Sequence, residues 1–256
     1  MTTAQLNHQD VRQKGLARMA EKLAGWTQKW FPDAYIFALA GVLLVAIAAL
    51  AIGAPPKAVV DSFGNGFWDL TAFTLQMAMV VLTGYVVATS PPVARLIDRL
   101  AQVPGSARSA VSFVAVLSMS VSFVNWGLSL IFGGLLARAV ARRADLHVDY
   151  RALGAAAFMG LGAVWALGMS SSAAQLQATK ASIPPALLKI TGVLDFGTTI
   201  FPWQSLLTLA ILMLLTTVIA HFSAPTGSAV KTAADLGVDL DDQPEPPAEK
   251  SRPGEW

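Results

Sequence analysis

The 29 residues from Ser109 to Ala137 contain no charged side chain. A helix that crosses a membrane needs about 20 apolar residues, so two crossings need about 40. The run is too long for one crossing and too short for two, and the turn-like tripeptide Asn125-Trp126-Gly127 sits near its middle. It is also not isolated. Along the whole chain, long uncharged blocks alternate with short charged ones, which is the pattern of a polytopic membrane protein. Composition agrees: 54% of residues are hydrophobic and 13% charged, whereas soluble domains carry about 25% charged residues. The expected fold class is an all-α polytopic membrane protein with four transmembrane helices plus a re-entrant helical hairpin.

The same pattern excludes other functions. The basic residues flank apolar blocks and form no single patch, so no nucleic acid partner is expected. There is no cysteine, and the three histidines, His8, His147 and His221, are far apart in or beside polar segments. No nucleophile-elbow, zinc-protease or P-loop pattern occurs. An intramembrane enzyme would need paired acids, histidine or cysteine at depth, and the apolar blocks hold none, so no enzymatic activity and no bound cofactor are expected.

Residues 1–32 form a polar, basic segment in which Leu16, Met19, Leu23, Trp26 and Trp30 recur at helical spacing. This reads as a cytoplasmic amphipathic helix lying on membrane lipid, with a soluble partner-binding helix left open. Residues 33–222 form the membrane domain, with spans expected at about 34–52, 70–89, 152–169 and 203–222 and the hairpin at about 109–137. The first apolar block is longer than the 7–15 residues typical of a signal peptide's apolar core and reads as a retained span. Between the second span and the hairpin, Val93 to Gln102 is expected to be a short amphipathic helix. Residues 223–256 read as a polar linker or disordered tail.

Charge counting resolves the odd length of the 109–137 run. Segments rich in Lys and Arg remain in the cytoplasm. If 109–137 enters and returns on one side, cytoplasmic segments hold 15 of the 18 basic residues and external segments hold 3. If it crosses once, the split falls to 10 against 8. The even reading wins, and a re-entrant hairpin fits the length. Its tip, Asn125, Trp126 and Gly127, would lie about 20 Å deep. Backbone that is not helical is tolerated at such depth only when buried in protein or lining a watery cavity. The tip is therefore a candidate substrate site.

A second irregularity follows the third span. Ser170, Ser171 and Ser172 interrupt a Gly-rich apolar stretch that would otherwise make a helix of about 43 Å, well beyond a core of about 30 Å. A helix break there would sit near the hairpin tip, and broken helices in transporters aim half-helix ends at charged substrates and ions. The serines could equally mark an outer helix end or simple helix packing. Gln76 in the second span is open in the same way, between a site role and helix–helix bonding.

The segments WFPDAYIFALAGVLLV (30–45), FWDLTAFTLQMAMVVLTGYVVATSPPV (67–93), NWGLSLIFGGLLAR (125–138) and DYRALGAAAFMGLGAVWALGMSSSAAQLQA (149–178) resemble the short-chain fatty acid transporter family of bacterial inner membranes. That family resembles a wider ion-transporter group built from two inverted repeats. Each repeat there carries a re-entrant hairpin and a broken helix whose tips meet at the substrate. The resemblance implies one repeat of such a fold here, with Asn125 to Gly127 as the first hairpin tip and Ser170 to Ser172 as the unwound motif. It implies alternating-access transport of small monocarboxylates such as butyrate or acetoacetate. Relatives are nearly twice as long, so the chain looks like the first half of a carrier. It would then need a separately encoded second half, or act as a non-transporting membrane subunit. A homo-oligomer is a poor substitute, because inverted repeats need opposite orientations and the charge bias opposes dual topology.

With no Lys or Arg inside a span, the carboxylate would rest on Asn125, serine hydroxyls and backbone N–H groups. Phe123, Trp126, Trp165 and Met169 would face the acyl chain or the core. The absence of intramembrane acids favours Na⁺ over H⁺ as coupling ion, without excluding H⁺.

Overall fold

The computed structural model describes residues 16–31, 33–183 and 185–240. Residues 1–15 and 241–256, within the expected N-terminal segment and tail, lie outside them. Among the described residues every regular element is a helix: α1 (Leu16–Trp30), α2 (Ala34–Ala51), α3 (Pro56–Ala88), α4 (Pro91–Ala101), α5 (Ala107–Val124), α6 (Trp126–Ala141), α7 (Tyr150–Met159), α8 (Ser172–Ala178), α9 (Pro185–Thr191), α10 (Phe196–Thr199) and α11 (Trp203–Ser223), with short 3₁₀ turns and one π-helical segment. Among the described residues three stretches are long and apolar enough to cross a membrane: Ala107–Val124, Tyr150–Ala178 and Trp203–Ser223. The pair Thr74–Ala88 and Pro91–Ala101, bent by 70°, makes a fourth if it counts as one span. The chain is an all-α polytopic membrane protein.

Local chemistry sets the helix ends. The Asp33 carboxylate accepts the Tyr35 N–H at 2.9 Å and caps α2. Gly53, at φ 90°, turns the chain out of α2, and Pro56 starts α3 at a first-turn position where proline is tolerated. Helix α3 is longer than the expected second span. It runs for 33 residues, about 50 Å, and absorbs the segment between Pro56 and Asp69 that polarity assigned to a loop. Those polar residues suit an exposed helix, and Lys57 and Asp61 pair at 2.7 Å one turn apart. Ser90-Pro91-Pro92 forces the bend into α4, whose Ile97 and Ala101 are buried while Arg95, Asp98 and Arg99 stay exposed.

The core sits where α5, α6, α7 and α11 meet, around Val114, Met119, Leu136, Val140, Leu153 and Val164. Helices α5 and α6 form an antiparallel hairpin with a single residue, Asn125, between them. Small residues let it pack closely. A Cβ on Gly133 would lie 2.8 Å from the Ala157 carbonyl oxygen of α7. The Ser118 hydroxyl donates to that same carbonyl at 2.5 Å, and the Ser129 hydroxyl donates to the Ser118 carbonyl at 2.7 Å. At the hairpin's base, Arg143 donates to the carbonyls of Ala101 and Pro104, at 3.0 and 2.6 Å, so the loops before α5 and after α6 are tied together at one end of the bundle. Apolar side chains on α2 and α11, such as Leu44, Ile47, Ile211 and Leu214, are exposed.

The segment after α11 folds back over that same end. Asp149, buried, caps α7 by accepting the Ala152 N–H at 3.0 Å, pairs with Arg151 at 2.7 Å and accepts the Lys231 N–H at 3.0 Å. Burial alone pushes the Asp149 carboxyl up, but the bonds from Arg151, Lys231 and Ala152 outweigh it and hold the group below the ordinary carboxylate value. Arg138 and Arg142 both donate to the Leu240 carbonyl. Residues 224–240 of the expected linker are thus a strap held to the hairpin base.

Candidate substrate site

The tip of the hairpin is a backbone event. Asn125 is extended, at φ −153° and ψ 117°, which ends α5 and opens α6. Its side-chain oxygen accepts the Leu128 N–H at 2.9 Å, the ordinary N-cap arrangement. Gly127 is buried against α3, where a Cβ would lie 3.0 Å from Val80 Cγ1 and 3.1 Å from the Val80 oxygen. Gly84 completes the contact, since a Cβ there would lie 2.7 Å from the Leu128 nitrogen. The tip therefore rests on the middle of the apolar stretch of α3.

The broken helix meets the tip from the other side. Helix α7 gives way to a π-helical segment at Gly160–Val164 and a 3₁₀ turn at Trp165–Leu167. The break thus begins ten residues before Ser170. Its cause lies on the hairpin: the Ser122 hydroxyl donates to the Gly160 carbonyl at 2.8 Å, and a Cβ on Gly160 would lie 2.6 Å from the Ser118 carbonyl oxygen. Gly168 is extended and also abuts the hairpin, 2.8 Å from both the Ser122 and Phe123 carbonyl oxygens for a built Cβ. Two bonds then join tip and break. The Met169 N–H donates to the Phe123 carbonyl at 2.8 Å, and the Trp126 N–H donates to Ser170 Oγ at 2.8 Å.

All six residues singled out from the sequence converge here, but they do different things. Ser170 is buried and latches the tip. Ser171 is buried and caps α8, accepting the Ala174 N–H at 3.4 Å. Asn125 and Trp126 are half-buried, and Gly127 packs on α3. Ser172, half-buried, opens onto a cleft of about 530 Å³ between α3 and α8. Phe123 meets Phe201 edge to face at 6.4 Å between ring centres. Sequence reasoning missed Ser118 and Ser122, whose 4-residue spacing on α5 was legible as one helical face, and Ser129 on α6, which meets them only across the turn. It also missed Gln175 and Thr179, which line the cleft with Gln76.

Comparison with known proteins gives the family. The family model described as "Short chain fatty acid transporter" matches residues 15–247. The chain belongs to the short-chain fatty acid transporter family. This is a family of transporters, not enzymes. A protein of Escherichia coli strain K12 named "Putative short-chain fatty acid transporter" is 31% identical over 216 residues, which is 84% of this chain and 48% of the relative. A protein of Haemophilus influenzae with the same name is 28% identical over 223 residues, covering 85% of this chain and 49% of the relative. The chain thus spans about half the length of the curated relatives it matches. No solved structure matches it.

Proposed function

We propose that the chain supplies one half of a carrier for short-chain fatty acids, small monocarboxylates such as butyrate or acetoacetate. Its hairpin tip and helix break form one side of the substrate site. The observation that carries this reading is the bond from the Trp126 N–H to Ser170 Oγ at 2.8 Å, which joins the hairpin tip, packed on α3, to the helix break. Interrupted helices facing one another are how secondary carriers build sites for charged solutes and move them by alternating access. At such a joint the Asn125 amide and the Ser172 hydroxyl are neutral donors for a carboxylate. The re-entrant course of the hairpin draws support from the same place. Val80, which packs on the tip, lies midway along the apolar residues 70–89.

A cytoplasmic hairpin base, strap and N-terminus belong to this reading, supported by the 15-to-3 bias of basic residues. Both of these relatives are bacterial, and the membrane proposed here is the bacterial inner membrane. The half-carrier part of the proposal draws on the half-length match, so a second hairpin and a second break are required to complete the site. In liposomes, this chain alone is expected to take up no more labelled butyrate than empty vesicles. Saturable uptake by the chain alone would overturn the half-carrier reading. In an assembled, transporting complex Asn125→Ala is expected to abolish uptake, and unchanged uptake would remove the tip from the site.

A further inference from the structure

The cleft between α3 and α8 adjoins the tip and has a lining suited to an amphiphilic anion. Val80 belongs both to its wall and to the seat of Gly127, and Ser172 belongs both to its wall and to the helix break. Its polar side chains are Gln76, Ser172, Gln175, Thr179 and Ser182, all neutral, and Val80 and Leu176 are among the apolar ones. The Gln76 amide is exposed in the cleft and bonds to no described residue. On the apolar part of α3 such an amide is costly against lipid and is tolerated where it faces a wet cavity. Gln175 is already engaged, donating to the Met169 carbonyl at 3.2 Å, so it braces the break. The volume, about 530 Å³, falls within the roughly 300–1,000 Å³ of small-molecule sites.

We infer that this cleft is the chamber that takes the short carboxylate, with the Gln76 amide and the Ser172 hydroxyl donating to the carboxylate and Val80 and Leu176 meeting the acyl chain. The inference rests on the carrier reading above and adds to it a third element, α3, and a residue outside the tip and the break. All of the named groups belong to this chain, so carboxylate binding at the cleft can be read on this chain alone, while the completed site of the carrier needs the second half. Neutral donors in the cleft hold a carboxylate by hydrogen bonds that strengthen as the bound ligand displaces water. Each buried methylene should raise affinity about fourfold, so butyrate should bind about sixteenfold tighter than acetate.

The chain has no native cysteine, so single substitutions report cleanly on access to a maleimide in nanodiscs. Three reporters suffice: Met79→Cys in the cleft wall, Asn125→Cys at the tip and Leu82→Cys as an α3 position outside the cleft. Sodium butyrate is expected to slow modification of the Met79→Cys chain at least tenfold, with sodium chloride as control and no effect on Leu82→Cys. Adding Gln76→Leu should raise the butyrate concentration needed by about ten- to a hundredfold, the loss of one bond to a charged group. Gln76→Glu should raise it further by charge repulsion. Protection at Asn125→Cys without protection at Met79→Cys would overturn the cleft and leave the carrier reading standing. Protection at neither would overturn the cleft, and the carrier reading would then be decided by uptake through the assembled complex with Asn125→Ala. A Met79→Cys chain that resists the maleimide even without butyrate would show a dry cleft and also overturn the inference. Protection that survives Gln76→Leu unchanged would remove Gln76 from the site.

Discussion

Replacing Ser170 with alanine removes one oxygen from the joint between hairpin and break. Ser170 is buried, and its Oγ is the acceptor for the Trp126 N–H at 2.8 Å. That N–H belongs to the first residue of α6, so no carbonyl of its own helix can take it. A buried donor left without an acceptor costs about 1–3 kcal/mol. At about 1.4 kcal/mol per tenfold, this is a five- to roughly 150-fold rise in the opening equilibrium of the tip. The assay is amide hydrogen exchange in nanodiscs, read on a peptide covering Val124 to Leu128. The peptide covering Leu135 to Ala141 at the far end of α6 is the internal control. Ser170→Ala should speed exchange at Trp126 by that factor and leave the control within twofold. Ser170→Thr keeps the oxygen and should stay near wild type. Exchange at Trp126 unchanged by Ser170→Ala would refute the latch.

Three other outcomes follow from the packing. Gly160→Ala drives a methyl group against the Ser118 backbone and Ser129 Oγ, and should lower stability by about 1–3 kcal/mol as overpacking, read as a fall in the thermal midpoint of the purified chain. Asp149→Asn should loosen the strap, measured as faster tryptic cleavage at Lys231. The same site sets a pH dependence. Because the folded Asp149 carboxyl is held below the ordinary carboxylate value, its stabilisation is complete above that value and is lost as pH falls through the lower folded one. Wild-type strap exchange should therefore accelerate only below about pH 4, while the Asp149→Asn chain should show no such step. Arg138→Ala with Arg142→Ala removes the donors to the Leu240 carbonyl and should free the end of the strap without changing exchange at the tip.

How much of this was legible depended on whether the signal lay in side chains or in pairing. The hairpin was legible because charge is a side-chain property and topology follows it. Asn125 was legible because an amide in an apolar run needs a reason, and capping the α6 N-terminus is that reason. The serine triplet was legible as an interruption, but its division of labour was not. Ser170 bonds to a nitrogen 44 residues away, and no local pattern encodes such a distance. The π-helical segment was hidden for the same reason, since it depends on the Ser122 hydroxyl reaching the Gly160 carbonyl. The strap was hidden because its acceptors are backbone carbonyls, which every residue carries. The early start of α3 was missed because Lys57, Asp61 and two glycines, Gly64 and Gly66, look like a loop until the helix is allowed to be exposed.

The hairpin's course can be read by labelling its base. Gly105 and Ala144 flank it and are both exposed. Gly105→Cys and Ala144→Cys, made singly in the cysteine-free chain and probed with a membrane-impermeant maleimide in right-side-out and inverted vesicles, report the side each loop occupies. A hairpin that enters and returns predicts labelling of both from the cytoplasmic side alone. Labelling from opposite sides would mean that residues 109–137 cross once, and the site built on the tip would fall with that result.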